Sequence, residues 1–152
     1  LAWALYGFTT AHRFSGEALF LDVARRCAAY YLRRTPPGLV PCWDYDLPED
    51  VPHLWDSSAA AVAASGLWDL AGAAEGADRE RYRGAALTVL RTLCADEFLP
   101  RNRPEWEGIL RHGVYHYHKG LGVDESVAWG DHFFVEALVK VVDEGRQGAG
   151  AA

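Results

Sequence analysis

Several features are scarce in this chain of 152 residues, and each scarcity excludes a class of protein. Lysine occurs only at Lys119 and Lys140, and the formal net charge is −6. This argues against nucleic acid as a partner, because phosphate binding requires a basic face. No stretch of about 18 residues is free of charge, so we expect no membrane span. No basic segment precedes an apolar run at the start, so we expect no signal peptide and a cytoplasmic location.

Cysteine is also scarce, and its spacing is uninformative. Cys27, Cys42 and Cys94 are odd in number and lack the C-x-x-C spacing, so they predict neither a disulfide framework nor a zinc site. The chain likewise lacks the glycine-rich motifs of nucleotide-binding enzymes and the G-x-S-x-G motif of serine esterases. Those enzyme classes are therefore not supported.

The chain has enough apolar residues for a core but contains no Met. Half of its residues are hydrophobic, and 6 Trp, 7 Tyr and 6 Phe exclude a disordered chain. It begins Leu-Ala-Trp-Ala-Leu-Tyr, already inside an apolar run, whereas natural termini are usually polar and frayed. We therefore expect it to be a piece of a longer protein.

Hydrophobic periodicity predicts five helices of two kinds. Two are amphipathic and lie outside, with one buried stripe each: residues 17–34 and 79–98. Three are apolar or small on nearly every face and are expected to be buried: residues 1–14, 57–71 and 126–142. Short connections within each pair make neighbours antiparallel. This alternation predicts an all-α fold, part of an α/α barrel over residues 1–145, followed by a disordered Gly/Ala tail at 146–152.

Two long connections, residues 35–56 and 99–125, are expected to be functional loops without secondary structure. Each leads into a buried helix, and Asp56 and Asp124 are the expected N-caps. The loops should therefore gather at the N-termini of the inner helices, where the helix dipoles favour an anionic ligand.

The acidic and histidine clusters leave alternatives open. Asp44 and Asp46, within P-C-W-D-Y-D, suit either a sugar ring or a tight turn whose amides they cap. Asp131 lies in an apolar helix and needs a partner, either an Arg or a ligand hydroxyl. The loop histidines are His112, His116 and His118. Their spacing supports metal binding only on a helix, so hydrogen bonds to substrate or loop are the favoured alternative.

Four segments resemble glycoside hydrolase family 88, the unsaturated glucuronyl hydrolases. They are A-W-A-L-Y-G-F at 2–8, V-P-C-W-D-Y-D-L-P at 40–48, D-S-S-A-A-A-V-A-A-S-G-L at 56–67 and G-V-D-E-S-V-A-W-G-D-H-F-F-V-E-A-L at 122–138. The resemblance covers nearly the whole chain and corresponds to the C-terminal two-fifths or so of such an enzyme. It implies an (α/α)6 barrel, of which this chain would form about five helices.

The resemblance also implies a chemistry and a partner. Such enzymes remove a 4,5-unsaturated uronic acid from oligosaccharides left by polysaccharide lyases, using an aspartic acid and no cofactor. The resemblance implies that Trp3, Ser126 and Trp129 line the sugar pocket, with Tyr115 and His116 as weaker candidates. The related unsaturated rhamnogalacturonyl hydrolases and a non-catalytic helical interaction module remain alternatives.

One departure from the family pattern limits this expectation. The family's two catalytic aspartates and the arginine expected to bind the uronate lie upstream of the segment in which this chain begins. We therefore expect no catalytic residue and no metal ligand within the chain, which should bind sugar poorly and turn over nothing alone. Exposed flanks of the inner helices at the open barrel edge are expected to drive self-association.

Overall fold

The structure is a computed structural model that describes residues 1–149. Five helices make up most of the described chain. They are α1 (Ala2–Ser15), α2 (Ala18–Arg34), α3 (Ser57–Gly72), α4 (Gly76–Leu93) and α5 (Ala128–Ala149). The strands β1 (Gly113–His116) and β2 (Leu121–Glu125) form a small antiparallel hairpin between α4 and α5. Among the described residues, no helix is both long and apolar enough to cross a membrane.

The helices form two layers, as the hydrophobic patterns predict. Helix α3 packs against α1 on one side, α5 on the other and α4 outside, while α2 packs on α1. Close approach of α1 and α3 depends on Gly66, where a Cβ would lie 3.0 Å from the Tyr6 Cα. The run of small residues in α3 therefore brings two inner helices into backbone contact. The all-α class and the partial-barrel architecture are confirmed.

The outer helices bury one stripe each. In α4 the buried side chains include all four that the periodicity places on one face, Tyr82, Ala86, Val89 and Leu93. In α2 the periodicity places Phe20, Val23, Cys27 and Tyr31 on the inner face, but only Tyr31 of these is fully buried, and the other buried residues are Ala24 and Ala28. Both helices are amphipathic as predicted, but the predicted stripe is correct in detail only for α4.

The inner helices differ from the prediction at the two ends of their row. Nearly every residue of α3 is buried, but α1 and α5 each have an inner neighbour on one side only. As a result Trp3 is 54% exposed and Val139 is 51% exposed. The prediction that all three are buried on nearly every face is correct for α3 and wrong for α1 and α5.

Two predicted boundaries also move. Helix α4 ends at Leu93 rather than at residue 98, because the chain then turns and buries Phe98 against the His112 ring, with centroids 5.6 Å apart. Helix α5 continues to Ala149, whereas the sequence predicts a disordered tail from residue 146. Residues 150–152 of that tail lie outside the described part of the chain.

The second long connection contains the β1–β2 hairpin, so the prediction of a loop without secondary structure is wrong there. His112, just before β1, and Asp124, within β2, have left-handed backbone conformations, and His112 Nδ1 lies 2.5 Å from Asp124 Oδ1. Asp124 is therefore not the N-cap of α5, which begins four residues later at Ala128. Its carboxylate holds the hairpin closed instead.

Candidate functional site

A cleft of about 600 Å³ opens at the N-terminal ends of the inner helices. It is lined by parts of α1, α2, α3 and α5, by the first long connection and by β1. Six aromatic side chains contribute to its surface: Trp3, Tyr31, Trp43, Tyr45, Tyr115 and Trp129. The expectation that the long connections gather at this end of the inner helices is confirmed.

The aromatic walls of the cleft are held by contacts between rings. Trp129, in the first turn of α5, meets Tyr115 of β1 edge to face, with centroids 5.3 Å apart. Trp3 meets Phe133 edge to face at 5.2 Å, and Trp43 stacks on Tyr117 at 4.6 Å. Aromatic rings with a polar group at one end suit a ligand that is partly apolar and partly wet. A sugar ring has that character.

Asp56 is one of the polar residues that line the cleft. Its Oδ1 accepts hydrogen bonds from the backbone N–H groups of Ser58 and Ala59, at 3.1 and 3.2 Å, and so caps α3 as predicted. Burial raises the pKa of Asp56, while hydrogen bonds from Ser58, Ala59 and Val114 oppose that shift. The expected anion position at the N-terminus of α3 is therefore already filled by the protein's own carboxylate.

Asp44 and Asp46 follow the turn alternative rather than forming a sugar-binding pair. Asp44 Oδ1 accepts the backbone N–H of Asp46 at 3.0 Å, and Asp46 pairs with Arg34 at 2.6 Å. Arg34 also donates to the Tyr45 carbonyl at 2.7 Å, which fastens this loop to α2. Asp44 still reaches the cleft surface, whereas Asp46 does not line it.

The charge of the cleft lining is one-sided. It contains the carboxyl groups of Asp44 and Asp56, and none of the described residues that line it is Arg or Lys. A uronate carboxylate has no cationic side chain to pair with on this part of the surface. The lining provides aromatic faces and neutral hydrogen-bonding groups.

The predicted site residues separate into two groups. Trp3, Tyr115 and Trp129 all line the cleft and come together from three different elements. His116 lines a smaller neighbouring depression of about 230 Å³. Ser126 does not line the cleft, and its hydroxyl donates to Asp131 at 3.1 Å.

Asp131 has a partner that the sequence did not suggest. Its two oxygens accept the backbone N–H groups of Ile109 and Leu110 at 2.9 and 2.8 Å, in addition to the Ser126 hydroxyl. The protein partner of Asp131 is therefore the backbone of the preceding connection and not an Arg. The carboxylate anchors the connection that leads to the hairpin, and this satisfies a charge that would otherwise be costly.

The loop histidines take different surroundings: His116 and His118 line the smaller depression, and His112 lies at the base of the hairpin. Within residues 1–149, no three His, Cys, Asp or Glu side chains come together in a way that could hold a metal ion. His112 lies between Asp124 and Glu97, with Nε2 3.1 Å from a Glu97 oxygen. This His therefore contacts the protein's own carboxylates at the hairpin base.

Sequence reasoning missed Ser58, which is 4% exposed and borders the cleft. Its place in the D-S-S motif is explained by helix capping, and nothing in the pattern indicates a second contact. Trp43 and Tyr45, which alternate with Asp44 and Asp46 in the W-D-Y-D segment, also line the cleft.

Known proteins that this chain resembles are named as hydrolases of unsaturated sugars. No protein-family model matches the chain. It is 37% identical over 142 residues to the unsaturated glucuronyl hydrolase of Bacillus sp. strain GL1, covering 92% of this chain and 37% of that protein. It is 32% identical over 141 residues to the unsaturated chondroitin disaccharide hydrolase of Streptococcus pyogenes serotype M1, covering 91% and 35% respectively.

Solved structures agree with the sequence relatives. The crystal structure of the Bacillus sp. GL1 enzyme, described as responsible for glycosaminoglycan degradation, superposes with a TM-score of 0.85 at 36% identity, covering 92% of this chain and 37% of that one. A Streptococcus agalactiae unsaturated glucuronyl hydrolase variant complexed with dGlcA-GalNAc6S gives a TM-score of 0.83 at 30% identity, with 92% and 37% covered. This chain thus spans a little over a third of the length of the relatives that it matches. Over about 92% of its length the chain is thus homologous to unsaturated glucuronyl hydrolases, which confirms the resemblance to glycoside hydrolase family 88 that its sequence motifs indicate.

Proposed function

We propose that the protein to which this chain belongs removes a 4,5-unsaturated uronic acid from the non-reducing end of lyase-generated oligosaccharides of the glycosaminoglycan type. The observation that carries the proposal is the aromatic cleft formed by Trp3, Tyr115 and Trp129. Support comes from relatives named as unsaturated glucuronyl and chondroitin disaccharide hydrolases, and from a relative complexed with dGlcA-GalNAc6S.

Within this function, the described chain is proposed to supply part of the sugar pocket and not the catalytic acid. The two most buried candidate acids are committed to backbone amides: Asp56 caps α3, and Asp131 holds Ile109 and Leu110. Asp44 accepts an amide of its own turn. The absence of Arg and Lys from the described cleft lining also supports a division of labour, in which the uronate carboxylate is bound by other residues.

The proposed reaction is hydration of a vinyl ether. An aspartic acid protonates carbon 4 of the double bond, and water adds to carbon 5 after losing a proton to the base so formed. The resulting hemiketal at carbon 5 opens to a ketone and leaves a hemiacetal at carbon 1. Collapse of that hemiacetal to an aldehyde breaks the glycosidic bond and releases the adjoining sugar as an alcohol. The aromatic walls contributed by this chain would orient the ring and exclude bulk water during these steps.

The direct test of this division of labour is the absorbance of the carbon–carbon double bond of dGlcA-GalNAc6S in the presence of the purified chain. We expect no loss of absorbance beyond that of a buffer control. Steady loss at the rate of an active hydrolase would contradict the proposal that the catalytic acid lies outside this chain. Asp56→Asn and Asp131→Asn would then identify which carboxyl group is responsible.

A further inference from the structure

The indole of Trp129 is tied to the inner helix beside it. Its Nε1–H donates to the Ser58 hydroxyl oxygen at 3.2 Å, which connects the first turn of α5 to the first turn of α3. The helices approach closely here, since a Cβ on Gly130 would lie 3.0 Å from the Ser58 Cβ. The bond therefore spans a contact that is already tight.

The indole N–H can only donate, and Asp56 leaves the Ser58 hydroxyl oxygen free to accept it. The Ser58 hydroxyl has a single proton, which it donates to Asp56 Oδ1 at 2.7 Å. With that proton committed to Asp56, the hydroxyl oxygen is left as an acceptor facing Trp129. Ser58 is 4% exposed, so water does not compete freely for either contact.

The same carboxylate oxygen also contacts the strand that carries the neighbouring aromatic residue, Tyr115. Asp56 Oδ1 accepts the backbone N–H of Val114 at 3.4 Å, and the next residue, Tyr115, packs its ring against Trp129. One oxygen atom thus holds Trp129 through Ser58 and the hairpin through Val114. Asp56 therefore contacts both the residue that holds Trp129 and the residue that precedes Tyr115, although these lie in distant parts of the chain.

We propose that Ser58 is a positioning residue of the sugar cleft: with Asp56, it sets the orientation in which Trp129 presents its face to the ligand. The proposal rests on the proposed function of the cleft. Helix capping alone explains the bonds from Asp56 to the backbone of α3, but not the bond between Ser58 and Trp129. An indole held by its N–H keeps one orientation, so less freedom is lost when a sugar ring packs on it.

Ser58→Ala tests this role because it removes the hydroxyl and leaves the cap. The Asp56 bonds to the backbone N–H groups of Ser58 and Ala59 remain possible, and the smaller side chain fits the tight contact with Gly130. Ser57→Ala is the matched control, since Ser57 is the adjacent residue of the same type and does not line the cleft. Denaturation curves of both variants verify that each is folded.

The first readout is the indole ¹H–¹⁵N resonance of Trp129, assigned by its loss in Trp129→Phe. We expect Ser58→Ala to shift this resonance and to speed its hydrogen exchange by several-fold, while Ser57→Ala leaves both unchanged. A resonance and an exchange rate that are the same in Ser58→Ala and in the unsubstituted chain would overturn the positioning role. This readout needs no ligand and is independent of the proposed function.

The second readout is the affinity for dGlcA-GalNAc6S. We expect Ser58→Ala and Trp129→Phe each to weaken binding by several-fold, and the double variant to be no weaker than the worse single variant, because both remove the same bond. Additive losses, or unchanged binding in Ser58→Ala, would overturn the proposal. Binding that is absent even from the unsubstituted chain would contradict the proposed function instead, so the two failures are distinguishable.

Discussion

Lys140 is the cation of a polar network between α3 and α5, and its replacement by Met tests how much that network contributes to stability. Its Nζ lies 2.8 Å from Ser65 Oγ, 2.8 Å from Asp69 Oδ2 and 2.7 Å from Glu136 Oε1. The side chains of Lys140, Asp69 and Glu136 are 21%, 12% and 25% exposed, so solvent screens the network only in part. Lys140→Met would leave two carboxylates without this cation.

The expected magnitude lies between two limits. Removing one partner of a fully buried ion pair costs about 3–5 kcal/mol, whereas an exposed pair contributes about 0–1 kcal/mol. At these intermediate exposures we expect Lys140→Met to lower the free energy of unfolding by about 2 kcal/mol. For a domain of this size that corresponds to a fall in Tm of roughly 4–8 °C.

The effect should depend on pH. Burial acts to raise the pKa of Glu136, but hydrogen bonds from Lys140 and Ser65 and the Lys140 charge outweigh it and hold that pKa below its ordinary value of 4.5. A carboxyl group with a lowered native pKa stabilises the fold above its unfolded pKa, and the stabilisation is lost as pH falls through the native pKa. The difference between the two proteins should therefore shrink in acid.

The assay is chemical denaturation followed by circular dichroism, at neutral pH and again at about pH 3.5. The matched control is Lys119→Met, because Lys119 is exposed in the hairpin turn. If Lys140→Met changes the free energy of unfolding no more than Lys119→Met at neutral pH, the reasoning about the network is wrong. A difference that grows on acidification would contradict the sign given for Glu136.

Three further predictions concern packing, association and the cleft. Gly66→Ala should lower the free energy of unfolding by about 1–3 kcal/mol, because the added Cβ would meet the Tyr6 backbone. Gly84→Ala, where the added Cβ meets nothing, should leave the free energy of unfolding unchanged or raise it. Equal effects of the two substitutions in denaturation curves would contradict the close packing of α1 and α3. Val139→Glu should reduce self-association measured by sedimentation, because Val139 is 51% exposed on the free face of α5; a monomeric unsubstituted chain would refute that expectation. Trp3→Ala in a full-length enzyme should raise KM for an unsaturated disaccharide, because it removes an aromatic surface of the cleft. An unchanged KM would contradict a role of Trp3 in substrate binding.

The parts of the fold that could be predicted depend on local patterns. The run of small residues in α3 and its Asp56 cap are both written in consecutive residues, and the buried stripe of α4 follows from spacing alone. The cleft could be located because each long connection leads directly into an inner helix. These features depend on interactions between residues that are close in the sequence, so the sequence is enough to predict them.

The parts that could not be predicted depend on backbone contacts between distant segments. Asp131 is satisfied by amides more than twenty residues away, and no side-chain pattern signals such a partner. The hairpin is anchored by the His112 carbonyl, which accepts the Ser57 N–H at 2.9 Å, and by the His112–Asp124 pair. Ser58 has its second contact across two helices. Each of these depends on tertiary packing rather than on residue type.

The central claim is that the aromatic cleft of this chain binds an unsaturated uronate sugar. Saturation-transfer NMR with dGlcA-GalNAc6S tests it most directly, because the method detects weak binding and needs no turnover. We expect saturation transfer to the unsaturated ring in the unsubstituted chain and no transfer in Trp129→Ala. Trp106 lies outside the cleft lining, so we expect Trp106→Ala to retain the transfer. Equal transfer in both variants, or none in the unsubstituted chain, would contradict the claim.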